Sequence, residues 1–290
     1  MKVDKQIKII SWNIAKRSSD SIIKEIKNQN ADIIILSELP ANARKEVLNK
    51  INDKDTFFEP IVDRSDKESC GLSIMVLKEK VKSVKQKTLK LNGFQPDLLL
   101  VDVTLHNNEV ISILGTRFKG NLNKITREEA VEQLLAYISV IIEYHPQIMI
   151  GDMNWYGVIK NKKAIEYIIS EKIENKNYKE IQEEIVKKNI PFERVRGGVK
   201  ALGDLEEKFL DIINDLLLRK NKRSNYIMWP LDDDRKYSYI AKRGKGKSSP
   251  DRIIYEGEWK YSYFPEIDED MEEFPNAWES DHAMLIAIRE

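Results

Sequence analysis

The sequence predicts an α/β protein built from short β-branched strands, many of them paired antiparallel, with amphipathic helices packed on the sheet. Three observations carry this reading. The chain opens with two apolar runs, Ile7 to Ile14 and Ile33 to Leu36, separated by a helical pattern. From Gly71 to Arg117 apolar runs follow one another with turns but no helical pattern between them, as in hairpins of an antiparallel sheet. Five short polar segments then sit at ends of apolar runs: Ser11-Trp12-Asn13, Leu36-Ser37-Glu38, Gly151-Asp152-Met153-Asn154, Ser249-Pro250-Asp251-Arg252 and Ser280-Asp281-His282. Strand tips hold polar side chains rigidly beside solvent, so five of them point to one metal-assisted active site.

Taken in order, Ile7 to Ile14 and Ile33 to Leu36 read as buried strands. Between them Ile22, Ile23 and Ile26 share one face of Ser19 to Gln29, with Asp20 near the start, which predicts an amphipathic helix. Strands follow at Leu72 to Leu77, Val81 to Leu91, Leu98 to Leu105 and Val110 to Arg117, with a turn at His106-Asn107-Asn108. Thr126 and Glu129 form a capping-box pattern. The helix behind it carries Ala130, Val131, Leu134, Leu135, Ile138, Ile141 and Ile142 at helical spacing. Pro146 leads into a strand from Gln147 to Ile150. The lysine- and glutamate-rich stretch from Lys160 to Arg223 reads as helices with solvated outer faces and a bend at Gly197-Gly198. It is expected to be an elaboration of a single domain spanning residues 1–290. Tyr237 to Ile240, Arg252 to Tyr255 and Ala283 to Ile288 are the last expected strands, and Glu266 to Glu273 an acidic solvated loop.

Composition narrows the function. Lysine plus arginine (48) balances aspartate plus glutamate (48), so no global field draws the molecule onto nucleic acid or membrane. Polyanion binding must come from a local patch. The single cysteine, Cys70, rules out an internal disulfide, fits a reducing compartment and reads as a small, partly buried residue. Charges at Lys2, Asp4, Lys5 and Lys8 interrupt the apolar stretch a signal peptide needs, and no run approaches the roughly 18 residues of a membrane span. The expectation is a soluble, cytoplasmic protein with no membrane association and no obligate protein partner.

Two of the polar segments carry most of the chemistry. Asp152 and Asn154, two residues apart after an apolar strand, point the same way if extended geometry persists, and can then position a nucleophile and hold an oxyanion. His282 sits beside Asp281, and Asp251 at another tip offers it a carboxylate partner. Such a partner fixes the imidazole tautomer and favours the cation, which suits a phosphate.

In order and wording these segments resemble the endonuclease/exonuclease/phosphatase superfamily, the fold of pancreatic-type deoxyribonucleases, abasic-site endonucleases and inositol polyphosphate phosphatases. That family has an early Trp-Asn, a Glu ending the next strand, a Gly-Asp-x-Asn, an Asp-Arg-Ile and a terminal Ser-Asp-His, and the resemblance runs from about residue 7 to 288. It implies a four-layer α/β sandwich, two mainly antiparallel β-sheets face to face with helices outside. It also implies that Glu38, with Asn13 and Asp281, binds magnesium or manganese, hard ions suited to oxygen ligands. Asp152 would activate the attacking water, Asn154 would donate to the phosphoryl oxygens, and His282, held by Asp251, would contact the phosphate. Trp12 is expected to be a packing residue.

One position departs from the pattern. Where many relatives place a histidine or tyrosine, this chain has Arg117, within Leu114-Gly115-Thr116-Arg117-Phe118. Arginine does not serve as an acid at neutral pH, and its planar fork binds phosphate, so electrostatic clamping is the expected role. For the substrate, Lys242, Arg243, Lys245 and Lys247 form a basic, glycine-containing loop able to follow a nucleic-acid backbone, and Tyr156 can stack on a base. The expected activity is metal-dependent phosphodiester hydrolysis of DNA or RNA. The alternatives are a phosphatase or phosphodiesterase acting on a small phosphorylated molecule or lipid headgroup, and a catalytically silent phosphate-binding module.

Overall fold

Both faces of the first strand are apolar, Ile7 and Ile9 on one side and Ile10 and Trp12 on the other, a pattern that requires cover above and below. The computed structural model supplies that cover. It describes residues 6–53, 58–65, 70–89, 96–119, 127–154, 209–211, 213–218, 220, 222, 225–230, 237–240, 247–248, 250–267, 270–271, 273–274 and 278–289.

The chain begins with β1 (Ile7–Asn13), α1 (Asp20–Asn28), β2 (Ile33–Pro40), α2 (Arg44–Ile51), β3 (Phe58–Ser65), β4 (Cys70–Leu77) and β5 (Val81–Gln86). It continues with β6 (Asp97–Leu105), β7 (Val110–Arg117), α3 (Arg127–Tyr144) and β8 (Ile148–Asp152). The last elements are β9 (Ile227–Trp229), β10 (Tyr239–Ile240), β11 (Lys247–Ser248), β12 (Asp251–Tyr255), β13 (Lys260–Phe264) and β14 (Met284–Arg289). Residues 209–211 and 213–218 are helical. The first six-stranded sheet runs β13-β14-β1-β2-β4-β3 and the second β5-β6-β7-β8-β12-β9, while β10 and β11 form a separate ribbon. Among the described strands, β1 with β2 and β7 with β8 pair parallel, each across a helical crossover of the kind parallel pairing demands.

Three cores divide the molecule into four layers. Between the sheets lie Ile9, Ile35, Leu72 and Leu285 from the first and Leu99, Ile113, Ile150 and Ile253 from the second. Outside the first sheet, Ile22, Ile23 and Ile26 of α1 and Val47 and Ile51 of α2 cover Ile10, Trp12, Ile34 and Leu36. Outside the second, Leu134, Tyr137, Ile138 and Ile141 of α3, with Phe209, Ile213 and Leu217, cover Leu100, Leu114 and Met149. This is the four-layer α/β sandwich expected, with two mainly antiparallel sheets. α1 carries its predicted isoleucine face inward and is capped by Ser19, whose Oγ accepts from Ile22 N. Two glycines permit close approaches, one between the sheets and one between neighbouring strands. A Cβ on Gly115 would stand 3.2 Å from Ile74 Cδ1 of the opposite sheet. Gly151 has φ +147° and a Cβ there would meet Thr116 O at 1.9 Å, so no other residue fits.

The structure corrects several boundaries. β5 ends at Gln86 rather than Leu91, and β2 extends past Leu36 to Pro40. α2, β3, β9, β11 and β13 add to the expected elements. Each carries weak periodicity: half of α2 is charged and it buries only Val47 and Ile51, β3 contains Pro60, β9 has three residues and β11 two, and β13 alternates tyrosine with serine. The turn at His106-Asn107-Asn108 is present, with Asn108 at φ +66°. Ile267 of the expected acidic loop is buried in the inter-sheet core. Thr126, most of the 160–223 elaboration and the Cys70 side chain lie outside the described residues. Among the described residues no helix is long and apolar enough to cross a membrane.

Candidate active site

Strand alternation places a polar row where the inter-sheet core ends. On β6 the inward residues are Val103, Val101, Leu99 and then Asp97; on β7 Ile111, Ile113, Gly115 and then Arg117. On β8 they are Ile148, Ile150 and Asp152, and on β12 Tyr255, Ile253 and Asp251. These four polar residues are register partners across neighbouring strands: Asp97 opposite Arg117, Arg117 opposite Asp152, Asp152 opposite Asp251. From the facing sheet Asn13 continues the inward face of Ile7 and Ile9. Its Nδ2 donates to Asp152 Oδ2 at 2.9 Å, joining the two sheets through one buried hydrogen bond.

Asp152 is held from several sides. Asn154 donates its backbone N–H to Asp152 Oδ1 (2.9 Å) and its Nδ2 to Oδ2 (3.0 Å). Extended geometry does not persist after β8. Asn154 turns to φ +39°, and that turn brings its amide back onto the carboxylate. Asn154 Nδ2 also donates to Phe118 O at 2.8 Å, so both of its amide protons are engaged within the protein. Burial pushes the Asp152 carboxyl above the usual carboxylate range and the Asp251 charge adds to it, while His282, Asn13 and Arg117 oppose the shift.

His282 Nδ1 lies 2.8 Å from Asp251 Oδ2, and the same oxygen accepts from Ser238 Oγ at 2.7 Å. Burial disfavours the imidazolium, but the charge and hydrogen bond of Asp251, with the charges of Asp152 and Asp281, outweigh it and raise the pKa to about 9. The backbone of His282 is clamped as well. Trp12 Nε1 and Trp278 Nε1 both donate to its carbonyl, at 2.9 and 2.8 Å, and the two indoles pack with centroids 4.6 Å apart. Trp12 is buried as expected for a packing residue, and it also orients this tip. Ser280 Oγ donates to Asn13 O at 2.7 Å and accepts from His282 N at 3.1 Å, tying β1 to the last strand.

Glu38 reaches the site through a backbone irregularity. Plain alternation from Ile34 and Leu36 directs it to the helix side of the sheet. A register shift between Leu36 and Leu39, with Glu38 at φ +56°, turns it to the polar row, as bulges beside functional sites do. There Glu38 Oε1 accepts from Arg117 Nη2 at 3.2 Å, while Arg117 Nη1 donates to Asp97 Oδ2 at 2.8 Å. Arg117 is therefore not a surface arginine closing a strand. Both arms of its fork rest on carboxylates, and its side chain is 12% exposed against 24% for Glu38. The oxygen donors Glu38 and Asn13, with the buried Ser37 Oγ that has no hydrogen-bond partner among the described residues, fit a hard divalent cation by donor chemistry. Among the described residues no group of three His, Cys, Asp or Glu side chains is gathered as a metal cluster.

Four residues here carry no sequence signal of their own: Asp97, Ser238, Tyr239 and Trp278. Asp97 opens a strand rather than ending one, and in an antiparallel sheet that brings it to the same edge as Arg117. The Tyr239 ring lies 5.0 Å from that of His282, across an isolated bridge between the two residues. Lys247 belongs to β11 and lies over the Tyr237 ring rather than in a free loop. Tyr156, Lys242, Arg243 and Lys245 lie outside the described residues.

No protein-family model matches the sequence, and no curated protein is similar to it by sequence. Solved structures are similar in fold. ANGEL2, a 2′,3′-cyclic phosphatase, superposes with TM-score 0.58 at 15% identity, over 98% of this chain and 94% of that one. TDP2 of D. rerio, complexed with single strand DNA product, gives 0.54 at 14% identity over 99% and 100%. Truncated TDP2 of Caenorhabditis elegans gives 0.51 at 15% over 98% and 97%. The chain has the endonuclease/exonuclease/phosphatase fold. Within it, the strand edge bearing Asn13, Glu38, Arg117, Asp152, Asp251 and His282 gathers polar groups from both sheets.

Proposed function

We propose that the chain is a divalent-metal-dependent phosphodiester hydrolase, a nuclease acting on DNA or RNA. The observation that carries this reading is Asp152, a buried carboxylate held by amides from both sheets and one strand from the His282–Asp251 pair. Asp152 orients a water for attack on phosphorus and takes its proton as the P–O bond to the leaving group breaks. Asn13 and Asn154 hold the two carboxylate oxygens in place, so Asn154 acts through Asp152 rather than on the phosphoryl group. His282, kept cationic by Asp251, donates to a non-bridging phosphoryl oxygen as its negative charge grows. Asp251 and Ser238 fix the imidazole so that no reorganisation is needed during reaction. Glu38, with Asn13 and Asp281, would hold magnesium or manganese, which when bound would supply charge neutralisation to the reacting phosphate. The leaving oxygen takes its proton from solvent.

Two structural neighbours support a phosphoester substrate: one bears a single-stranded DNA product, the other is a cyclic phosphatase. The second, together with the zero net charge, favours a small phosphorylated molecule as the alternative substrate. The test is hydrolysis of labelled oligonucleotides, and in parallel of small phosphate esters, with magnesium or manganese. Cleavage is expected to vanish with chelator and to fall by about a hundredfold or more in Asp152→Ala. Activity that survives both changes rejects the mechanism, and activity confined to the small esters rejects the nuclease reading.

A further inference from the structure

Arg117 stands where phosphate clamping was expected, yet its guanidinium bridges two carboxylates. One of them is Glu38, the residue assigned above to the cation, at 3.2 Å; the other is Asp97, whose side chain is 8% exposed, at 2.8 Å. The bridge is built by both sheets. Asp97 and Arg117 are register partners on β6 and β7, while Glu38 comes across from β2 only because its backbone adopts φ +56° at the bulge. A positive φ at a non-glycine residue costs free energy, so something at this position must hold it. The ion pair with Arg117 is one such hold.

The geometry points to Arg117 as a built-in counter-cation, a positioning residue whose charge engages Glu38 and Asp97 and so sets how tightly the site takes a divalent ion. This inference rests on the reading of Glu38 as a metal ligand. The electrostatics give its sign. With Arg117 present, the charges of Glu38 and Asp97 are partly neutralised by a guanidinium in contact with both, and an incoming cation meets one carboxylate already engaged. Without it, two carboxylates that shared one cation face each other across the space it filled, and the repulsion is relieved by a divalent ion. Loss of Arg117 therefore tightens cation binding. A role confined to packing predicts the opposite, because loosening Glu38 weakens its grip.

The test is direct manganese binding, by calorimetric titration or by the spin-resonance signal of free Mn2+, so that turnover is not the readout. Wild type is compared with Arg117→Gln, Arg117→Lys, Asp97→Asn with Arg117→Gln, and Glu38→Gln. Arg117→Gln is expected to bind Mn2+ about tenfold tighter or more, as a carboxylate pair that has lost its counter-ion should. Arg117→Lys, which keeps the charge, stays near wild type, and adding Asp97→Asn to Arg117→Gln removes the gain. Unchanged or weaker binding in folded Arg117→Gln overturns the inference, whatever Arg117→Lys does. Glu38→Gln tests the underlying reading separately: Mn2+ affinity that does not depend on Glu38 rejects the metal assignment, whatever Arg117 does.

Discussion

At the residue scale, the site is two hydrogen-bonded units that meet on neighbouring strands. In the proposed mechanism the burial of Asp152 serves the reaction, since desolvation makes it a better proton acceptor than a surface carboxylate, while Asn13 and Asn154 keep it aimed. His282 is buried too, but Asp251 reverses the effect of burial on its charge. If Asp251 acts through His282, as proposed, their losses should not add. Asp251→Asn and His282→Ala are each expected to lower kcat by about a hundred- to ten-thousandfold, with the double variant no slower than His282→Ala alone. Steady-state rates of the three variants decide this, and additive losses argue for independent roles. Asp152 and His282 are legible in the sequence because each borders a purely apolar run, and Asp251 because it opens the short strand Asp251–Tyr255. Their bond partners are not, since Ser238 is one hydroxyl inside an expected strand and Trp278 lies outside every expected element.

At the scale of the elements, the tips are held where they are by short-range backbone devices. Gly151 at φ +147° lets β8 pass Thr116 closely enough for Asp152 to stand opposite both Arg117 and Asp251. Gly151→Ala places a methyl 1.9 Å from the Thr116 carbonyl oxygen and is expected to cost about 3 kcal/mol or more, read as a lower denaturation midpoint. A near-neutral result would mean that β7 and β8 can separate without penalty. The bulge in β2 is the second device, turning Glu38 from the helix face to the site. Strong periodicity makes α1, α3, β1, β4, β6 and β7 readable from sequence. β13 escapes such a reading because an edge strand with an exposed, alternating face, such as Lys260 to Phe264, has little apolar signal.

Across the whole molecule, two sheets converge so that inward residues from β1, β6, β7, β8 and β12 end at one polar edge. Zero net charge means that attraction for a polyanion is local. If Lys242, Arg243, Lys245 and Lys247 supply it, neutralising all four should lower the magnitude of the salt slope of oligonucleotide binding by about 3 to 4. An unchanged slope removes that segment from the binding surface. By itself the sequence determined the fold class and most of the polar tips, because apolar periodicity and the residues that interrupt it are local properties of the chain. Only the tertiary structure decided that Asp97 joins Arg117, that Asn154 turns back onto Asp152 and that Glu38 reaches the guanidinium. Register across strands and positive φ values bring residues together over distances that no local pattern encodes.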